Sequence, residues 1–135
     1  MRLKACLESI DSVAREIIKL LPDSAILLLD GDLASGKTTL VKSLAEAKGV
    51  ADEVTSPTFS LQHLYGDLIF HYDLYRVEFD ELVALGIVDE FEKKGLHIIE
   101  WVEPKLESLL LEAGFEIIKV KIVPTDDGCR EYFVG

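Results

Sequence analysis

The stretch "LLLDGDLASGKTTLVKSL", residues 27–44, joins an apolar run to a helix-like run through a loop that carries two glycines, a lysine and two threonines. On its N-terminal side, "AILLLD" is a continuous apolar run of strand length, the pattern of a central strand buried on both faces. On its C-terminal side a helix is expected from about Lys37 to Lys48, with Leu40, Val41, Leu44 and Ala47 facing inward and Gly49 placed to end it. Between them "GDLASGKT", residues 31–38, fits G-x-x-x-x-G-K-[ST] without a mismatch. The match falls after a strand and at a helix start, the context that a phosphate-binding loop requires.

The chemistry explains these residue types. Gly31 and Gly36 permit backbone conformations that a side chain forbids, so N–H groups from Leu33, Ala34, Ser35, Gly36, Lys37 and Thr38 can line one concavity. Lys37 supplies a point charge to the outer phosphates, and the helix N-terminus adds its partial positive charge. The Thr38 hydroxyl can ligate Mg²⁺ between phosphate oxygens, while Thr39 contacts an inner phosphate or packs.

Such a loop needs an acidic residue at the end of a neighbouring strand. "LHIIE" ends in Glu100 and "LIFHYD" in Asp73. We assign Glu100 to the magnesium shell and Asp73 to positioning or activating the attacking water. "TSPTF", residues 55–59, lies where nucleotide switches place a segment that closes on the γ-phosphate, with Thr58 first and Ser56 second as hydroxyl donors. The same residues also make an ordinary Ser-Pro-Thr turn. Arg76 is open to either a developing charge or an ion pair, and Trp101 is expected to pack in the core with one edge near the site.

Around this centre the chain reads as one α/β domain over residues 1–135. Ile10, Val13, Ile17, Leu20 and Leu21 form a first amphipathic helix, capped by Asp11 or Ser12 and closed by Pro22. "DEVTSPTFSLQHL" reads as a loop broken by Pro57 and then a strand, which pairs with "DLIFHYDLYR" as a hairpin turning at Gly66. "DELVALGIVDEFEKKG" reads as a helix interrupted at Gly86, followed by the apolar run "LHIIEW". A helix from about Pro104 to Glu112 precedes strands "FEIIKVKIV" and "REYFV", joined by a polar turn at Asp126, Asp127 and Gly128. The order of elements gives an α/β sandwich on a mixed sheet.

Composition bounds the function. The formal net charge is −11, and residues 78–92 hold Glu78, Asp80, Glu81, Asp89, Glu90 and Glu92 without a basic residue. That surface repels a phosphate backbone, so direct binding of nucleic acid is disfavoured. It reads first as a solvated acidic face. No apolar run approaches a bilayer span, and Glu8, Asp11, Arg15, Glu16 and Lys19 interrupt any secretion signal, so a cytoplasmic home is expected. Cys6 and Cys129 form no CxxC and read as ordinary packing residues, without a disulfide. His63, His71 and His97 lack zinc-site spacing.

Together, "GDLASGKTTLVK", "TSPTFSL", "HYDLYR", "LGIVDEF" and "IIEW" resemble, in order and spacing, the TsaE family of small bacterial ATPases. The resemblance runs from the first helix to the last strand and implies a P-loop NTPase three-layer sandwich with a mixed, mainly parallel central sheet. It implies ATP and Mg²⁺ as cofactors, Thr38 and Glu100 serving magnesium, Asp73 supporting hydrolysis and Trp101 near the nucleotide. Family members also touch ATP through an N-terminal segment and a C-terminal arginine, for which Ser9 and Arg130 are the nearest candidates here. The resemblance implies work with TsaB and TsaD, where TsaD transfers a threonylcarbamoyl group to adenosine 37 of tRNAs reading codons that begin with A. Contact with tRNA would then be indirect. One departure lies in the loop, where the family usually has Gly-Ala and this chain has Ala34-Ser35, which limits backbone freedom.

Two rival readings share the loop. A small-molecule kinase would bring several arginines to the transferred phosphate, but the chain has only Arg2, Arg15, Arg76 and Arg130, and no acceptor lid. A non-catalytic nucleotide switch would bind partners without turnover. A GTPase is disfavoured because the chain contains no asparagine for an Asn-Lys-x-Asp motif.

Overall fold

A computed structural model describes residues 1–32, 36–50, 53–55 and 61–135. Strand β2, Ala25–Asp30, is the centre of the fold. Its alternation explains why a continuous apolar run is needed: Leu27 and Leu29 enter one core while Ile26 and Leu28 enter the other. The first core is filled by helix α1, Ile10–Leu20, through Ile10, Val13, Ala14 and Ile17, and by α2, Lys37–Ala47, through Leu40, Val41, Leu44 and Ala45. The second is filled from α3, Phe79–Leu85, α4, Ile87–Glu90, and α5, Pro104–Glu112, by Leu82, Ile87, Leu106 and Leu110. Helices on both faces of a sheet make the three layers.

The remaining strands are β1, Arg2–Ala5; β3, Glu53–Thr55; β4, Gln62–Tyr65; β5, Ile69–Asp73; β6, Leu96–Glu100; β7, Ile117–Pro124; and β8, Arg130–Val134. Among the described residues they form one eight-stranded sheet in the order β1-β8-β7-β2-β6-β5-β4-β3. The central run β7-β2-β6-β5 is parallel. Antiparallel pairs extend it on both sides, β1 with β8 and β8 with β7 at one end, β5 with β4 and β4 with β3 at the other.

Several sequence expectations need correction. Ala47 is exposed and Ala45 takes its place in the core, because Leu40, Val41, Leu44 and Ala45 follow the i, i+4 rows of one helix face. The N-cap of α1 is Ser9, not Asp11 or Ser12, since the preceding turn Leu7–Ser9 already winds the chain. Residues 53–55, read as loop, form the edge strand β3 against β4. Residues 2–5, read as no element, form β1, held by β8. Cys6 and Cys129 are not independent packing residues: they form a disulfide across 123 positions, with Cα atoms 4.2 Å apart. The β1–β8 ladder, whose last pair is Ala5 with Arg130, brings them together.

Under the second layer lies a buried polar chain. His97 donates from Nε2 to the Lys93 carbonyl at 2.8 Å and accepts the Tyr72 hydroxyl on Nδ1 at 2.8 Å. Gln62 donates both to the Tyr72 hydroxyl, at 3.2 Å, and to Glu90, at 3.1 Å. Burial pushes the His97 pKa below its usual value, against the opposing effects of the Lys93 carbonyl and Glu90. The folded state therefore binds the proton more weakly than the unfolded one, and this stabilisation is full above about pH 6.5 and lost as pH falls. Urea unfolding should accordingly give a lower stability at pH 5.5 than at pH 7.5, and a smaller difference between the two in His97→Gln.

Candidate phosphate-binding site

Three parallel strands stop at one level. Leu29 lies beside Glu100, and Glu100 beside Asp73, so β2, β6 and β5 deliver Asp30, Glu100 and Asp73 to the same edge. Ligand crevices in open α/β sheets form outside these carboxyl ends. Alternation sets which side chains share a layer. Ile69 belongs to the α1–α2 core, as do Leu96 and Ile98, so His71 and Asp73 on β5 and Glu100 on β6 project toward α2.

Helix α2 begins there. Gly36, at φ +97°, turns the chain into the helix in a left-handed conformation that favours glycine. A Cβ at this position would come 3.1 Å from Arg130 Nε, so the Arg130 side chain lies across the helix start. Lys37 follows, only 5% exposed. Its Nζ donates to the Gly31 carbonyl at 2.6 Å and stands 3.4 Å from the centre of the Trp101 ring. Burial lowers the Lys37 pKa, and Glu100, Asp73, Asp30 and Asp32 pull it the other way. The ammonium is thus desolvated but faces carboxylates, and its hydrogen bond to a neutral carbonyl is one that a phosphate oxygen can replace to advantage.

Among the described residues, Trp101 is one of two non-glycine residues with positive φ, at +62°. A bulky residue in that region costs on the order of 1–3 kcal/mol. The turn it makes at the end of β6 brings the ring beneath Lys37, where a cation–π contact offsets part of the cost. Tyr75 packs against the same ring, with ring centroids 4.9 Å apart. Asp73 is exposed, and its Oδ1 accepts the Tyr75 backbone N–H at 3.1 Å. Glu100 is 4% exposed, and its Oε2 is hydrogen-bonded by His71 Nε2.

A cleft of about 570 Å³ collects Gly36, Lys37, Thr38 and Thr39 on one wall with Asp73, Glu100 and Trp101 on the other, and Cys6 and Arg130 on its rim. Thr38 and Thr39 are exposed toward solvent at the helix start. A larger cleft of about 1260 Å³, bordered by residues 74–80, α5 and β7, shares Lys37 and Trp101 but not Thr38, Asp73 or Glu100. The smaller one is where the helix N-terminus and both carboxylates meet, the arrangement that suits a phosphate. The Thr38 hydroxyl and Glu100 carboxylate are the oxygen donors that a hard divalent cation takes, and such a cation keeps several water or phosphate oxygens besides.

The sequence-predicted residues divide clearly. Gly36, Lys37, Thr38, Thr39, Asp73, Glu100, Trp101 and Arg130 share one cleft. Leu33, Ala34, Ser35, Ser56 and Thr58 lie outside the described residues. The Ser9 hydroxyl is occupied by its own turn, donating to the Cys6 carbonyl at 3.3 Å and accepting the Cys6 N–H at 3.2 Å, while Cys6 and Ile10 line the cleft beside it. Arg76, at φ +60°, is exposed 5.1 Å from the Tyr75 ring and borders the larger cleft. His71 and Cys6 are additions that spacing alone did not single out. The alternation of "HYD" is the signal for His71, since it puts His71 and Asp73 on one face.

Comparison with known proteins gives the family. The chain is similar to the Haemophilus influenzae tRNA threonylcarbamoyladenosine biosynthesis protein TsaE, 40% identical over 105 residues that cover 74% of this chain and 66% of that protein, just under two thirds of its length. It is 39% identical to the Treponema pallidum protein of the same name over 120 residues, 87% of this chain and 86% of that one. Among solved structures, that of Bacillus subtilis YdiB superposes with a TM-score of 0.67 at 26% identity, covering all of this chain and 86% of that one. The family described as threonylcarbamoyl adenosine biosynthesis protein TsaE matches residues 5–132. The chain, a P-loop NTPase sandwich by its fold, therefore belongs to the TsaE family.

Proposed function

We propose that this protein binds Mg-ATP at the N-terminus of α2 and hydrolyses it, acting in the cytoplasm with TsaB and TsaD homologues in the threonylcarbamoylation of adenosine 37 of tRNAs that read codons beginning with A. The observation that carries this reading is the cleft itself: a helix entered through a left-handed glycine presents Lys37, Thr38 and Thr39 opposite two strand-end carboxylates. The family assignment supports the pathway.

In this reading the backbone N–H groups at the start of α2 hold the phosphates, and Lys37 leaves the Gly31 carbonyl to pair with them. Thr38 and Glu100 hold Mg²⁺, which when bound neutralises charge developing on the transferred phosphoryl group. Asp73 orients the attacking water and takes its proton. Trp101, beneath Lys37, keeps bulk water from that side, and Arg130 across Gly36 closes the rim. TsaB and TsaD bear the contact with tRNA, in keeping with the net charge of −11 on this chain.

Calorimetric titration of Mg-ATP into the parent and into Lys37→Ala tests the site. The variant should bind at least about tenfold more weakly, since a charge-assisted contact is lost, and should lose any turnover stimulated by TsaB and TsaD. Equal affinity in both would reject the site. Tight binding by the parent with no turnover in any mixture would leave a nucleotide switch in place of an ATPase.

A further inference from the structure

We infer that His71 is a positioning residue for Glu100, holding one carboxylate oxygen so that the other faces the metal shell. The inference rests on the Mg-nucleotide reading above and assigns a role within it to a residue outside the loop and the strand-end acids.

The geometry is specific. His71 is paired with Ile98 across the β5–β6 ladder, and Glu100 lies two positions further along β6 on the same face. The His71 ring therefore reaches diagonally to Glu100, and its Nε2–H donates to Oε2. Both side chains are buried, with exposures of 6% and 5%. The His63 ring stands 5.7 Å from that of His71, tilted at 37° to it.

A carboxylate taken out of water needs hydrogen bonds, and leaving it bare is costly. A fold needing only to fill this place would use apolar residues, as it does at Ile69 and Ile98 on the same face. Here a donor is fixed on one oxygen of an acid at the cleft wall. Fixing Oε2 removes the carboxylate's rotation and leaves Oε1 as the oxygen for a cation. Ligating carboxylates are commonly held by such a second hydrogen bond, whose loss costs about 10–100-fold in metal affinity.

The test is Mn²⁺ binding to the isolated chain in the presence of ADP, followed by electron paramagnetic resonance, alongside metal-free ADP binding followed by Trp101 fluorescence. His71→Gln keeps an N–H at the position of Nε2. His71→Leu removes it, and His71→Asn, whose amide stops short at the level of Nδ1, removes it with less disturbance to a polar interior. The expected result is Mn²⁺ affinity reduced about tenfold or more in His71→Asn and His71→Leu and largely recovered in His71→Gln. Metal-free ADP affinity should stay within about twofold of the parent in all three, which a collapsed cleft would not allow. If His71→Leu does not fold, the Asn and Gln variants decide alone. Mn²⁺ affinity within about twofold of the parent in His71→Asn, or metal and metal-free binding weakened together, would overturn the inference while leaving the nucleotide site standing. A parent that bound no Mn²⁺ with ADP would overturn both.

Discussion

Asp73→Ala should lower Mg-ATP turnover, measured with cognate TsaB and TsaD present, by about 100-fold or more while changing the nucleotide Kd by less than about threefold. General-base and water-positioning groups contribute typically about 10²–10⁴-fold, and their work is strongest in the transition state. The structure gives a reason for so clean a separation. Asp73 is exposed at the cleft wall and its one fixed oxygen bonds the Tyr75 backbone, so its removal opens no hole in either core. Glu100→Ala should also reduce turnover more than binding, but less selectively, because it removes the proposed cation ligand and leaves the buried His71 without its acceptor. Equal losses in turnover and binding for Asp73→Ala would indicate a ground-state contact and remove the proposed role.

Gly95→Ala should damage stability strongly. Gly95 sits immediately before β6 at φ +139°, and an added Cβ would come 2.4 Å from the Leu68 carbonyl oxygen. That oxygen accepts the Leu96 N–H at 2.8 Å, the bond that starts the β5–β6 pairing. A backbone oxygen cannot swing aside as a side chain would, so the ladder that carries Asp73 and Glu100 must shift. We expect a loss of about 3 kcal/mol or more, combining steric overlap with left-handed strain, seen as a fall in Tm of roughly 10 °C. Gly49→Ala is the control. It too has positive φ, +83°, but its Cβ would meet nothing within 4 Å, so it should cost only about 1–2 kcal/mol. Equal losses at the two positions would show that backbone conformation, not the Leu68 contact, sets the cost.

What could be read from sequence was what the chain decides locally. β2 announced itself through an uninterrupted apolar run, α2 through the loop before it, and α5 through Pro104 at its first turn. Gly86, at φ +79°, separates α3 from α4 as its position suggested. The elements that escaped were edge strands of four and three residues, β1 and β3. β1 offers only Leu3 and Ala5 to the core and β3 is three residues long, so neither run is long enough to announce a strand, and each is held by its ladder to a neighbour. The cysteine pair escaped for the same reason, since no local spacing marks residues joined by a ladder between the chain's first and last strands. In the candidate site, the meeting of Lys37, Thr38, Asp73 and Glu100 in one cleft was legible because loop and strand-end positions are fixed by sequence order. The hydrogen bond from His71 depends on strand register, which only pairing supplies.

The edge strand β1 finds its partner in β8, and β8 also carries Arg130, the side chain that lies across the start of α2. On a ribosome making roughly 5–20 residues per second, β1 waits on the order of ten seconds for β8. The helix that presents Lys37 can form before β8 is made, but the arginine across it arrives only when β8 leaves the exit tunnel. The cleft that holds Lys37 is thus completed only once residue 130 has been made, and a nascent chain stalled before it would present Lys37 without the arginine beside it.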